Sequence, residues 1–168
     1  PGNVFTALRG DNFDAHDFLE QVADRGAAAA IVSEPRDASL PLLKVDDTFA
    51  ALQQLAAHHR DTLHTHGTKV IAVTGSNGKT TTRHLIHAVL SAKLRGTQSP
   101  RSFNNHIGVP LTLLAASPDD DFVVAEIGTN HPGEIDALAV ITRPDAAVIT
   151  NIGDAHIGMF GSRDAIAR

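Results

Sequence analysis

The sequence lacks several residue types, and each absence excludes a class of protein. It contains no cysteine, which excludes a disulfide framework and a thiolate metal site. It contains no tryptophan or tyrosine, and its low aromatic content argues against a surface that stacks nucleic acid bases. No apolar run approaches the roughly 18 residues of a membrane-spanning helix, and we expect no signal peptide. These absences predict a cytoplasmic protein without membrane insertion.

The sequence also lacks an excess of positive charge. Its formal net charge is -5, so a duplex-binding surface is not expected, and we predict no nucleic acid partner. A polyanionic ligand would have to be held by local backbone geometry. Because the sequence starts at Pro1 rather than at a methionine, we expect it to be a piece of a longer protein.

Residues 1–66 are predicted to form a small amino-terminal α/β domain. Strands are predicted in VFTALRG, AAAAIVS and LLKV, and helices in HDFLEQVADRG and TFAALQQLAAHHRDTL. Asp46 or Asp47 is expected to cap the second helix through its side-chain oxygen. The polar segment HTHGT that follows is predicted to be a linker.

Residues 67–168 are predicted to form a truncated P-loop domain with a parallel sheet. The runs KVIAVT, DFVVAEIG and DAAVITNIG are apolar, as expected of parallel strands buried on both faces. Helices are predicted in KTTTRHLIHAVLSAKL and PGEIDALAVI, and the latter has a proline near its first turn. This alternation predicts an α/β fold with ligands at the carboxyl ends of the strands.

The stretch VTGSNGKTTT joins the first of these strands to the next helix. A glycine-rich turn before a helix presents backbone N–H groups that attract an anion. Lys79 adds a positive charge, and the Thr80 hydroxyl is placed where it is expected to be a ligand for Mg²⁺. The spacing is shorter than a full Walker motif, since Val73 stands at the position of its first glycine. The alternative is an ordinary strand–helix turn, but we predict a nucleotide-phosphate loop formed by Gly75, Ser76, Asn77, Gly78, Lys79, Thr80 and Thr81.

Two glutamates flank the segment between the second apolar run and its helix. Glu126 ends the apolar run, where an unpaired carboxylate would be costly to bury and a Mg²⁺ ion would offset that cost. The alternative for Glu126 is a structural role, paired with an arginine or capping a helix. Glu134 lies in the first turn of a helix, where the helix dipole favours acids, and we predict no metal for it.

Histidines and asparagines near the strand ends are ambiguous from spacing alone. On spacing, His156 is expected to be a surface or hydrogen-bonded residue, and His84 and His87 to lie on an exposed helix face. Asn104 and Asn105 precede a predicted helix in FNNHIGVPLTLL. Their amides could cap that helix or bind a substrate, and spacing does not decide between the two.

Four motifs together resemble one family. TGSNGKTTT, FNNHIGVPLTLL, AEIGTNHPGEI and ITNIGDAHIGMFGS, in this order, are similar to those of the Mur ligases of peptidoglycan synthesis. NHPGEI and NNHIGVP favour the branch that joins D-alanyl-D-alanine to UDP-N-acetylmuramoyl-tripeptide over the branch that adds the third peptide residue. PGNVFTALRGDNFDAHDF resembles the uridine-nucleotide-binding domain of that branch. The resemblance implies ATP-dependent amide formation through an acyl phosphate, by a cytoplasmic monomer.

The resemblance also implies roles for residues around the phosphate loop. Lys79 and Thr80 would hold the phosphates of ATP and one Mg²⁺. Glu126 would be a metal ligand, and His156 would bind a second Mg²⁺, in contrast to the interpretation from spacing.

Substrate roles follow from the same resemblance. Three asparagines, Asn104, Asn105 and Asn130, would line the site where the substrate carboxylate meets the γ-phosphate. The uridine nucleotide would lie near Gly10, Asp11, Asn12 and Phe13.

The sequence departs from the family pattern at several positions. Ala15 stands where a glycine is common, and no lysine follows Lys93, although the family has a carboxylated lysine shortly after the histidine. We therefore expect this chain alone to be an inactive fragment. The alternatives are another Mur-type ligase, a folylpolyglutamate synthase, or a nucleotide-binding module without ligase activity.

Overall fold

The structure is a computed structural model that describes residues 1–155 and 157–167. The chain divides into two compact units, Pro1–Leu52 and Gln53–Arg168, and both contain helices and parallel strands. The predicted α/β class is therefore confirmed. The division falls inside a long helix, Thr48–Thr65, and the predicted domain boundary between residues 66 and 67 stays a prediction. Among the described residues, no helix combines the length and apolar character needed to cross a membrane.

The first unit is built around a small parallel sheet. Its elements are β1 Val4–Thr6, β2 Arg9–Gly10, β3 Phe13–Asp14, a 3₁₀ turn Ala15–Phe18, α1 Leu19–Asp24, β4 Ala29–Val32, β5 Leu42–Lys44 and the start of α2 Thr48–Thr65. Strands β1, β4 and β5 form the sheet in that order. The separate hairpin of β2 and β3 was not predicted, because VFTALRG was interpreted as one strand. The chain turns where the Leu8 N–H donates to the Thr6 carbonyl at 3.0 Å.

Helix α2 begins and ends with local hydrogen bonds. The Asp47 carboxylate accepts from the N–H groups of Phe49 and Ala50, which confirms one of the two predicted caps. At the other end, Gly67 has a positive φ of 91° and its N–H donates to the carbonyl of His64. The segment HTHGT, predicted as a linker, therefore contributes the last residues of the helix and its terminating turn.

The second unit contains a four-stranded parallel sheet in the order β7-β8-β6-β9. Its elements are β6 Lys69–Thr74, α3 Lys79–Leu90, β7 Gly96–Gln98, α4 Gly108–Ala115, β8 Phe122–Glu126, α5 Glu134–Thr142, β9 Ala146–Ile149, α6 Ile157–Phe160 and α7 Arg163–Ala167. Strands β6, β8 and β9 and helices α3 and α5 were predicted. Strand β7 was not, because Gly-Thr-Gln has no apolar pattern. A Cβ on Gly96 would lie 2.5 Å from the Phe122 ring, so close packing requires the glycine.

The strand register brings three strand ends to one edge of this sheet. Val73 of β6 pairs with Glu126 of β8, and the next residue, Thr74, pairs with Ile149 of β9. Helix α3 packs on one face of the sheet through a core that includes Val73, Phe122, Val124, Ile86 and Leu90. The loops that follow β6, β8 and β9 are therefore neighbours.

Candidate functional site

The loop after β6 has the backbone that its glycines predict. Gly75 has a φ of 127° and Gly78 a φ of 81°, both in the left-handed region. A Cβ on Gly75 would lie 2.2 Å from Thr150 Oγ1, so no side chain fits at this position. Helix α3 begins at Lys79, directly after the loop. The predicted order of strand, glycine-rich loop and helix is therefore confirmed.

The loop after β9 supports the phosphate loop, and this was not predicted. The Ser76 N–H donates to the Asn151 carbonyl, and the Asn77 N–H donates to Asn151 Oδ1, each at 3.0 Å. Thr150 Oγ1 donates to the Asn77 carbonyl at 2.6 Å. The sequence places Thr150 and Asn151 just after a predicted strand, where site residues are expected. Only the strand order shows that the phosphate loop lies beside them.

The remaining donors of the phosphate loop lie at the start of α3. The first N–H groups of a helix have no acceptor within the helix. Thr82 N–H donates to the Gly78 carbonyl, so the preceding N–H groups, those of Lys79, Thr80 and Thr81, are available in the described structure. The Lys79 ammonium donates to the Gly75 carbonyl at 2.5 Å. This arrangement can bind an anion at the helix start.

Glu126 contacts two other predicted site residues. Glu126 is 1% exposed and lies at the carboxyl end of β8. Thr80 Oγ1 donates to Glu126 Oε2, and Asn104 Nδ2 donates to Glu126 Oε1, each at 3.0 Å. The structure thus places the helix start, the asparagine loop and the strand end around one buried carboxylate.

A buried arginine, Arg83, also lies beside Glu126 and was not singled out by the sequence. Its side chain is fully buried, and its Nε lies 3.5 Å from Glu126 Oε2. Arg83 follows Thr80 by three residues, and this spacing places both on one helix face. Glu126 therefore pairs with an arginine, as the structural alternative for this residue predicted, and it also accepts a hydrogen bond from Thr80.

The geometry around Glu126 fits a magnesium ion in part. In the described chain, no group of three or more His, Cys, Asp or Glu side chains could hold a metal. However, Thr80 Oγ1 and Glu126 Oε2 are 3.0 Å apart, close to the separation of about 3 Å between adjacent oxygens around octahedral Mg²⁺. Phosphate oxygens and water would complete such a site. His156, the other predicted metal ligand, lies outside the described residues.

The other predicted asparagines make different contacts. Asn105 Oδ1 accepts from the N–H groups of Ile107 and Gly108 at 3.1 and 2.9 Å, so its amide caps α4. Asn130 N–H donates to Glu134 at 2.6 Å. That hydrogen bond is the largest of several that lower the pKa of Glu134 from 4.5 to about 2. Glu134 thus organises its own loop, as its helix-start position suggested.

The predicted uridine residues lie in the first unit. Gly10 and Phe13 pair across the β2–β3 hairpin, with Asp11 and Asn12 between them. Asp14, directly after this turn, accepts from the N–H of His16 and from Arg9, and these bonds lower its pKa. The hairpin therefore adjoins a charged cluster that was not predicted from the sequence. The cluster is formed by Arg9, Asp14, Asp17, Glu34 and Arg36.

An apolar cavity of about 410 Å³ lies beside the phosphate loop in the second unit. Gly75, Ser76 and Lys79 form one part of its wall. The other part includes apolar residues such as Ile135 and Ile149. This cavity offers room for an organic group next to the phosphate loop.

Comparison with known proteins assigns the family. The sequence model described as the Mur ligase middle domain matches residues 73–168, more than half of the chain. The chain belongs to the Mur ligase family. This Mur ligase chain is 48% identical over 168 residues to the UDP-N-acetylmuramoyl-tripeptide--D-alanyl-D-alanine ligase of Bacillus subtilis (strain 168), with 98% of the chain covered.

Solved structures of Mur ligases have the same fold. A crystal structure of MurF from Acinetobacter baumannii matches with a TM-score of 0.89 at 45% identity, covering 98% of this chain and 36% of that one. The MurF ligase of Thermotoga maritima, solved in complex with ADP, matches with a TM-score of 0.84 at 35% identity, covering 99% of this chain and 38% of that one. The chain spans 36% of the length of the Bacillus subtilis ligase.

Proposed function

We propose that this chain is part of an ATP-dependent ligase that joins D-alanyl-D-alanine to UDP-N-acetylmuramoyl-tripeptide. The observation that carries the proposal is the assembly of Thr80, Glu126 and Asn104 beside a glycine-rich loop at a helix start. Its support is the ligase named among the relatives, which matches almost the whole chain. The Thermotoga maritima MurF ligase was solved in complex with ADP, which supports nucleotide binding by this family member. The proposal includes a cytoplasmic monomer whose substrates are small molecules.

The reaction that we propose proceeds in two steps. A carboxylate oxygen of the tripeptide attacks the γ-phosphorus of ATP, and the bond to the bridging oxygen of ADP breaks. The amine of D-alanyl-D-alanine then attacks the acyl carbon, the amine loses a proton, and inorganic phosphate leaves. Both steps bring anions together, so the protein must neutralise charge and align the reactants.

The residues of this chain have distinct parts in that reaction. The N–H groups at the start of α3 and the Lys79 ammonium hold the phosphates by charge-assisted hydrogen bonds. Thr80 and Glu126 would hold Mg²⁺, which supplies charge neutralisation to the phosphates when bound. Asn104 orients the Glu126 carboxylate through its amide. The predicted roles of Asn104, Asn105 and Asn130 at the acyl group belong to the same proposal, although the Asn105 Oδ1 is engaged at the start of α4.

The substrate nucleotide is assigned to the first unit. We propose that the hairpin turn with Gly10, Asp11, Asn12 and Phe13 binds near the uridine. Phe13 is 55% exposed, and an exposed aromatic ring offers a face to a planar base.

The test is amide formation by the product of the complete gene. We expect UDP-N-acetylmuramoyl-tripeptide, D-alanyl-D-alanine and Mg-ATP to give one amide for each ADP released. Lys79→Ala should lower kcat/KM on the order of 10²-fold or more, because a charge-assisted contact to the phosphates is lost. Circular dichroism should stay unchanged, because Lys79 is at a helix start.

Two results would contradict the proposal. Nucleotide binding without amide formation would indicate a module without ligase activity. Amide formation with another amino acid instead of the dipeptide would indicate another Mur-type ligase.

A further inference from the structure

The loop that follows β9 holds the phosphate loop by contacts to two successive residues. Asn151 accepts the Ser76 N–H through its carbonyl and the Asn77 N–H through Oδ1, each at 3.0 Å. Asn151 Nδ2 donates back to the Asn77 carbonyl at 3.3 Å. Gly153 N–H donates to Ser76 Oγ at 2.8 Å. The Asn151 amide therefore engages both backbone groups of Asn77.

We propose that Asn151 is a positioning residue for nucleotide binding, which fixes the phosphate loop from the neighbouring strand. The proposal rests on the proposed function, in which this loop binds the phosphates of ATP. Asn151 acts through Asn77 and Ser76 rather than by touching the phosphates. We call its three contacts to these residues the Asn151 brace.

The brace divides the donors of the loop into two groups. The N–H groups of Ser76 and Asn77 already have acceptors in Asn151, so they are not available to a phosphate. The N–H groups of Lys79, Thr80 and Thr81, at the start of α3, have no acceptor among the described residues, so they remain to bind a phosphate. In this proposal the N–H groups of Ser76 and Asn77 fix the backbone of the loop, and the N–H groups at the start of α3 bind the phosphate.

Gly75 shows how closely the two loops approach. A Cβ at Gly75 would lie 2.2 Å from Thr150 Oγ1 and 2.9 Å from the Asn151 carbonyl oxygen. The glycine is thus required by the neighbouring strand end, in addition to any approach of a phosphate. This close contact is independent of the hydrogen bonds and fixes the same two segments together.

Asparagine is better suited to this position than aspartate. The side chain accepts from the Asn77 N–H and donates to the Asn77 carbonyl, and the asparagine amide supplies both an acceptor and a donor, whereas an ionised carboxylate only accepts. An aspartate would retain the acceptor, lose the donor and place a negative charge beside a phosphate site. The two losses are separable, because the charge effect is screened by salt and the lost hydrogen bond is not.

The experiment compares Asn151→Ala and Asn151→Asp in the product of the complete gene. ADP affinity is measured by calorimetry at low and high salt. We expect Asn151→Ala to weaken ADP binding about 5- to 30-fold, since two hydrogen bonds that order the loop are lost. Asn151→Asp should weaken binding more at low salt, and its deficit should shrink toward that of the alanine variant as salt is raised.

Asp145→Asn is the matched control on the same strand. Asp145 precedes β9 at its other end and accepts from the Val70 N–H at 2.9 Å, as Asn151 accepts from Asn77. This variant removes the charge that Asp145 pairs with Arg60 and Lys69, and so weakens an anchor between neighbouring strands at the end of β9 away from the phosphate loop. We expect it to lower stability and to leave ADP affinity within twofold of the wild type.

Hydrogen exchange in the absence of nucleotide tests the brace itself. The peptide that contains Asn77 should exchange faster in Asn151→Ala than in the wild type, whereas Asp145→Asn should leave that peptide unchanged. In turnover, Asn151→Ala should raise KM for ATP more than KM for D-alanyl-D-alanine.

Each contrary outcome identifies what has failed. If the wild type binds ADP and Asn151→Ala binds it equally well, the brace has no role in binding and the inference is overturned. If Asp145→Asn weakens ADP binding as much as Asn151→Ala, the effect is general destabilisation and the inference is again overturned. If the wild type binds no ADP, the proposed function fails, and with it this inference.

Discussion

Two regions at either end of one loop, the end of β8 and the start of α5, each present a glutamate in a different environment. Glu126 is buried and bonded to side chains from other elements, Thr80 and Asn104. Glu134 is partly exposed and bonded to the backbone of its own loop, at Asn130 and His131. The difference indicates that the position of a carboxylate relative to neighbouring elements, rather than its presence in a polar loop, decides whether it contacts side chains of other elements or only its own loop.

The largest expected effect concerns the charge that balances Glu126. Arg83→Met keeps most of the side-chain volume and removes the charge, which leaves a buried carboxylate without its cation. We expect the free energy of unfolding to fall by about 3–5 kcal/mol. Urea unfolding of the 168-residue chain, followed by circular dichroism, measures this change.

A second variant and a surface control separate charge from packing. Adding Glu126→Gln to Arg83→Met should recover part of the loss, because the unpaired charge is then gone. Arg143→Met removes an ion pair to Asp61 in which both side chains are about half exposed, and should cost at most about 1 kcal/mol. An Arg83→Met variant as stable as the wild type would show that the pair does not balance Glu126.

The next effect concerns magnesium. Glu126→Gln removes a proposed ligand, and we expect the Mg²⁺ concentration for half-maximal ligation to rise by at least about 10- to 100-fold, the range found when only a hydrogen-bonding partner of a metal ligand is removed. Glu134→Gln should leave that concentration unchanged, because the Glu134 carboxylate is engaged by its own loop. Titration of each variant of the complete gene product with Mg²⁺ at saturating ATP makes the comparison. Sensitivity at Glu134 and none at Glu126 would reverse the assignment.

The comparison also shows what could be predicted from the sequence. The phosphate loop is a contiguous stretch, so its glycines, lysine and threonine were sufficient to predict strand, loop and helix. The contacts of Arg83 and Asn151 were not predicted, because each partner lies far along the chain and depends on the strand order β8-β6-β9. Only the fold shows that the segment after β9 lies beside the segment after β6.

Short elements were missed for a different reason. Strand β7 has three residues and the β2–β3 hairpin two in each strand, which is too few for a periodic pattern. Each of these short strands forms because it pairs with an adjacent strand, and its own residues show no strand pattern. Asn105 illustrates the same limit, since capping and substrate binding were equally compatible with its spacing and the structure places its amide on the helix start.

The smallest effect concerns the pH dependence of stability at Glu134. Hydrogen bonds, first that from the Asn130 N–H, lower the pKa of Glu134 from 4.5 to about 2 in the folded protein. A depressed pKa stabilises the fold above pH 4.5, and this contribution is lost as the pH falls through about 2. Because the side chain is partly exposed, we expect this contribution to the free energy of unfolding to be at most about 1 kcal/mol after solvent screening.

Glu134→Gln lacks the titrating group, so its stability difference from the wild type should shrink between pH 5 and pH 2 in urea unfolding of the 168-residue chain. Subtracting the two variants cancels the titration of other carboxylates such as Asp14, and a difference that stays constant with pH would show that the Glu134 hydrogen bonds do not depend on its charge.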